Sequence, residues 1–151
     1  MKKMLLIGMI LFICTACPYD EFYGFMLENN LSENIAYCVG VNKDRQTIYP
    51  DTLLHNKEDL RYFNERSNIS FWQTRDKKWD YILKNSDTIS IFIFSVDTLE
   101  KYTWDQIKSG YKVIIRYDLS YSNIRQLNYV IPYPPNESMR NMKMYPKYFK
   151  D

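Results

Sequence analysis

Hydrophobic and polar positions alternate most clearly in "TISIFIFSV", residues 88–96. Ile89, Ile91 and Ile93 fall on one side of an extended chain, and Phe92 and Phe94 fall on the other. A strand apolar on both faces is predicted to be central and covered from both sides. "NIAYCVGV" repeats the alternation through Ile35, Tyr37, Val39 and Val41, predicting a strand over 34–41. "NISFWQT" at 68–74 and "KVIIRYDL", with Val113, Ile115 and Tyr117 on one face, read as further strands. "NYVIPYPP" reads as a closing strand stopped by prolines. Helical spacing appears at Trp79, Ile82 and Leu83, and residues 57–65 are expected to form a helical turn or short helix capped by Asn56.

Two helix starts are written in more detail. Thr103 and Gln106 form a T-x-x-Q capping box, with Tyr102 and Ile107 at the staple positions and Gly110 where the helix ends. Ser120 caps a helix containing Ile124 and Leu127, with Leu119 and Ile124 as the second staple. The strand-helix alternation of 88–133 follows a half richer in strands. The fold class expected is therefore α+β: a single domain with a mixed β-sheet of about five strands and about three helices.

The first twenty residues follow another pattern. Lys2 and Lys3 precede an apolar run from Met4 to Cys14, 11 residues long and interrupted only by Gly8. A bilayer-spanning helix needs about 20 apolar residues, so the run has the length of a signal-peptide core. Its continuation, Cys14-Thr15-Ala16-Cys17, resembles the lipobox of bacterial lipoproteins, departing from it at Cys14, where Leu, Val or Ile is usual. The resemblance implies cleavage after Ala16 and lipidation of Cys17. Acyl chains on that cysteine would tether the domain to a membrane, each buried CH₂ contributing about 0.8 kcal/mol. The organisation expected is a signal peptide over 1–16, lipidated Cys17 and a tether over 17–33, the α+β domain over 34–135, and a basic, Met- and Tyr-rich tail over 136–151 that packs loosely.

Removing 16 of the 151 residues leaves 135, enough for one domain with a real core. The full chain has 20 basic and 18 acidic residues. Loss of Lys2 and Lys3 brings the two signs into balance, which argues against a nucleic-acid partner. Cys38 is then the one cysteine besides the anchor, expected as a small buried hydrophobe without a disulfide. Glycine is left at Gly24, Gly40 and Gly110, so no glycine-rich phosphate loop is formed and no cofactor is expected. Aromatic residues are plentiful, with 14 Tyr, 8 Phe and 3 Trp. Part of them must fill the core, and the surplus suits a contact surface.

The segment "SIFIFSVDTLEKYTWDQIKSGYKVIIRYDLSYSNIRQLNYVIPYPP", with "YPDT" upstream, resembles small Bacteroidales-type envelope lipoproteins of unknown function. It departs from them at Asn123, where an acidic residue is more usual. The resemblance implies a location at the cell envelope, with the outer membrane as the expected anchor, and brings no catalytic residues.

Candidate chemistry is sparse. His55 is the chain's one histidine, with Asp51 and Asp59 nearby in sequence. A surface residue is the expectation for it, and a metal site is not expected. Asp97 and Asp118 each end a hydrophobic strand before a helix. Parallel strands would bring both carboxylates to one edge, where α/β sheets place ligands. The plainer alternative is that they orient the helix starts. Arg116 and Arg125 are candidate partners for them. The function expected is a membrane-anchored, non-catalytic binding or accessory module whose partner is a glycan or an envelope protein. The alternatives are an immunity- or inhibitor-type lipoprotein and a carboxylate-dependent glycoside hydrolase.

Overall fold

The computed structural model describes residues 23–48, 54, 56–63, 67–74 and 77–148. Its strands, in chain order, are β1 (Gly24–Asn29), β2 (Ile35–Val39), β3 (Arg61–Tyr62), β4 (Ile69–Gln73), β5 (Thr88–Ser95), β6 (Ile115–Ser120), β7 (Val130–Tyr133) and β8 (Lys143–Tyr145). The α-helices are α1 (Trp79–Ile82), α2 (Val96–Lys101), α3 (Trp104–Ser109) and α4 (Tyr121–Gln126). The class is α+β, as the pattern predicts, but the strands form two sheets instead of one mixed sheet. One is five-stranded and antiparallel throughout, in the order β3-β2-β5-β6-β8. The other is three-stranded and mixed, in the order β4-β1-β7, with β1 antiparallel to β4 and parallel to β7.

β5 is the centre of the larger sheet, and its two apolar faces serve two separate cores. Ile89, Ile91 and Ile93 pack with Phe25 and Leu27 of β1, Trp72 of β4 and Ile131 of β7, which closes the layer between the sheets. Phe92 and Phe94 point the other way, into a second core made with Ala36, Cys38, Leu99 of α2 and Ile107 of α3. All five β5 side chains are at most 1% exposed. The layers are therefore small sheet, large sheet, then α2 and α3, while Trp79 and Ile82 of α1 and Ile124 of α4 join the core between the sheets. Two hydroxyls also tie the sheets together: Tyr117 donates to the carbonyl of Pro132, and Tyr37 is hydrogen-bonded to Ser70.

Both predicted capping boxes form. Thr103 accepts from the Gln106 amide while the Gln106 side chain accepts from the Thr103 amide, and Ser120 and Asn123 exchange the same pair of bonds. Asn123 thus does what an acidic residue does at that position. The staple residues are buried or half-buried beside one another, Tyr102 with Ile107 and Leu119 with Ile124.

Three expectations are corrected. The predicted tether contains β1, the middle strand of the smaller sheet, because Phe25 and Leu27 insert into the core while Met26 and Glu28 face out. The tail is not loose: β8 pairs with β6, and Met139, Met142 and Met144 are buried in the core between the sheets. Unbranched Met side chains fill gaps without needing a strict period, which is why the tail has no readable pattern. Among the described residues of 57–65, the chain makes a 3-10 turn, Lys57–Asp59, with no side-chain bond from Asn56, and then extends into β3 against β2.

Cys38 is a buried, free cysteine as expected. Burial, with a smaller contribution from Asp59, pushes its thiol up to about 12. The folded state thus keeps its proton where the unfolded chain loses it, so the stability from this group is complete below pH 9. That stability is lost as pH rises from there toward 12. In the folded protein at pH 8, a thiol-alkylating reagent is expected to modify Cys38 only after denaturant is added. Modification without denaturant would show that the helical layer opens readily.

Candidate functional site

Cys17, His55 and Asp51 lie outside the described residues. The two carboxylates expected at one sheet edge are described, and the structure separates them. β5 and β6 are antiparallel, not parallel, so Asp118 sits opposite Ser90 near the start of β5, while Asp97 follows its end in the first turn of α2. Five to seven residues of strand, at about 3.3 Å each, lie between the two positions. Asp97 is exposed and Asp118 is 3% exposed.

Asp118 belongs to a buried polar network on the helix-facing side of the large sheet. Ser90 donates to its Oδ1 at 2.8 Å, and Arg116 Nη2 donates to its Oδ2 at 3.0 Å. Arg116 Nη1 also donates to the Tyr111 hydroxyl at 3.0 Å, while its buried Nε has no partner. Burial works against the Arg116 charge, but Asp118 and Tyr111 outweigh it and hold the proton more firmly than usual. Of the two predicted arginine partners, Arg116 takes the role. Arg125 instead lies over the Tyr121 ring, 5.8 Å from its centroid. The Asp118 carboxylate is thus turned toward Ser90 and Arg116 inside the fold.

A concave feature lies at the far end of β1. A cleft of about 550 Å³ opens there, where the β1–β2 connection, β3, the start of β4 and α2 meet. Asn29 shapes one wall. It is 8% exposed; its amide donates to the Glu33 carbonyl at 2.8 Å, and its Oδ1 accepts from the Leu31 amide at 3.1 Å. Backbone bonds from Asn29 to the Asn68 carbonyl and from Val96 to the Asn34 carbonyl fasten this connection to both sheets. Arg61 donates to the Phe71 carbonyl at 3.0 Å, bringing the β3 edge against the β4 edge and fixing the opposite wall.

The lining mixes polar and apolar side chains: Asn34 and Asn68 bring amides, Glu33 and Glu100 bring carboxylates, and Tyr62 brings a ring that is 52% exposed, beside Leu31, Phe63 and Val96. No Lys or Arg is among the described residues that line it. Glu33 also acts on its surroundings: together with burial, the larger cause, it pushes the Tyr133 pKa above its ordinary value, so the hydroxyl holds its proton more firmly. These residues escaped the sequence reading because they come from four separate turns and share no spacing.

The surplus of aromatics does not form a tryptophan platform. Trp72 and Trp79 are buried and Trp104 is half-buried. Among the described residues, the aromatic side chains more than half exposed are Tyr62 at the cleft, Phe71 on β4 and Tyr145 on the β8 edge. Among the described residues, no group of three or more His, Cys, Asp and Glu side chains is placed to hold a metal ion, and no helix is long and apolar enough to cross a membrane. No protein-family model matches the chain, and no curated protein or solved structure matches it.

Proposed function

We propose that this chain is an envelope lipoprotein, anchored through acylated Cys17, whose domain acts by binding rather than by catalysis. The proposed partner is a glycan, taken in the cleft at the end of β1. The observation that carries this reading is the lining itself. Two carboxamides, Asn34 and Asn68, and two carboxylates, Glu33 and Glu100, line a cleft of about 550 Å³ together with one exposed tyrosine ring. Planar amides and carboxylates donate to and accept from neighbouring hydroxyls, and a ring face covers the apolar side of a sugar. A few convergent polar groups in a concave site are the usual form of a small-ligand pocket.

A second reading, hydrolysis of a glycosidic bond, keeps one supporting observation. Glu33 and Glu100 line the same cleft, and a pair of carboxylates is what that chemistry requires. A screen of the protein against envelope and dietary polysaccharides, following both retention and release of reducing ends, tests the two together. The expected result is retention without release, weakened about tenfold in Tyr62→Ala, which corresponds to about 1.4 kcal/mol. Release that disappears in Glu33→Gln or Glu100→Gln would replace the binding reading with the hydrolytic one. Retention of no polysaccharide would contradict the glycan.

A further inference from the structure

The anchor and the first strand are close in sequence, and this restricts how the domain can stand on a membrane. Six residue steps separate Cys17 from Tyr23, and a fully extended chain covers at most about 3.6 Å per step. Tyr23 therefore stays within about 22 Å of the lipidated residue. The end of the domain around Tyr23 is defined by close contacts. The Thr74 amide donates to the Tyr23 carbonyl at 3.0 Å, and the Thr74 hydroxyl donates to the Lys77 carbonyl at 2.9 Å. The α1 helix starts here, and its Trp79 ring packs on Tyr121 and Tyr129 with centroids 5.1 and 6.4 Å away.

We infer that this end, carrying Lys77, Lys78, Lys84 and Arg125 around the Trp79–Tyr121–Tyr129 cluster, docks on the anionic phospholipid headgroups of the leaflet that holds Cys17, so that the cleft faces away from the membrane. The inference rests on the lipid anchor proposed above. Lys77, Lys78, Lys84 and Arg125 stand against Asp80 and Asp87 in the described part of this end, whereas the described residues that line the cleft include Glu33 and Glu100 and no Lys or Arg. The sign of the charge thus differs between the two ends, and the basic one is at the anchor. Cations beside an anionic leaflet each strengthen association by about fivefold, and the half-buried Tyr121 and Tyr129, which lie over the buried Trp79, suit the headgroup layer because their rings are apolar and their tips polar.

The aromatic cluster is also held firmly. Asn128 and Tyr129 both adopt left-handed backbone, with φ of 51° and 61°. For a tyrosine this is a strained conformation, because its Cβ crowds the following carbonyl. The strained turn presents the Tyr129 ring to Trp79 and its hydroxyl to Tyr121 at 3.2 Å. The Met26 amide bonds to the Tyr129 carbonyl at 2.8 Å, locking the cluster to β1. Asn29, at the cleft, is five strand steps from Gly24, or about 17 Å.

The test uses the full chain, processed in its host and reconstituted in vesicles of phosphatidylethanolamine and phosphatidylglycerol. A spin label is placed at Ser122→Cys beside Tyr121, or at Ser67→Cys on the cleft. Both positions are exposed, and the buried Cys38 does not compete for the label. Collision with a water-soluble nickel complex should be several-fold lower at position 122 than at 67, and the difference should shrink in Lys77→Glu/Lys84→Glu. Equal collision rates at the two positions, or protection at 67 instead, would overturn the orientation. The acyl mass on Cys17 is read from the same preparation. A chain without acyl groups would overturn the anchor, and the orientation would fall with it. An acylated chain with unprotected position 122 would overturn the orientation alone.

Discussion

Replacing Phe92 with alanine is expected to lower the melting temperature of the detergent-solubilised protein by about 12–20 °C. Phe92 is 1% exposed at the centre of β5, in the core between the large sheet and α2 and α3. Phe-to-Ala truncation at such a site costs about 3–5 kcal/mol, because the transfer energy of the ring is lost and the cavity collapses only in part. For a domain of this size each kcal/mol corresponds to about 4 °C. The neighbours restrict collapse: Phe94 and Ile107 are fixed by their own elements, and the backbone of β5 is paired on both edges, with β2 and with β6. A melting temperature within a few degrees of the parent would mean that the helical layer contributes little to stability.

Asp118→Ala is expected to be nearly as severe, for a different reason. It removes the carboxylate that accepts from Ser90 and Arg116 and leaves a guanidinium, 15% exposed, without its counter-charge. Removing one partner of a buried ion pair typically costs about 3–5 kcal/mol. Most of that is the cost of the stranded charge. The double variant Arg116→Met/Asp118→Leu should therefore recover most of the loss. A double-mutant cycle by chemical denaturation separates the terms. A single variant as stable as the parent would show that the network is dispensable. A double variant less stable than Asp118→Ala would show that Arg116 is held by something other than its pairing with Asp118.

These two sites also show what the sequence made legible. Phe92 was readable because its information is local: alternation in "TISIFIFSV" specifies two buried faces, and the antiparallel neighbours only decide what covers them. The capping boxes at Thr103 and Ser120 were readable for the same reason, each needing only four consecutive residues. Asp118 was misplaced because its position depends on strand direction. A strand-helix-strand order suggests a parallel crossover. Here α2 and α3 return the chain antiparallel, so Asp97 and Asp118 go to opposite ends of β5. Pairing between distant segments is likewise why β1 and β8 were read as tether and tail. The cleft has no local signature at all, since Asn29, Tyr62, Asn68 and Glu100 meet only after both sheets have formed.

Location, orientation and the direction in which the cleft faces all depend on Cys17. The mass of the N-terminal proteolytic peptide from membrane-extracted protein tests this most directly. The expected result is a peptide that begins at Cys17 and carries acyl chains, with residues 1–16 absent, and loss of both the processing and the added mass in Cys17→Ala. An N-terminal peptide that retains residues 1–16, or that begins at another residue without acyl mass, would contradict it.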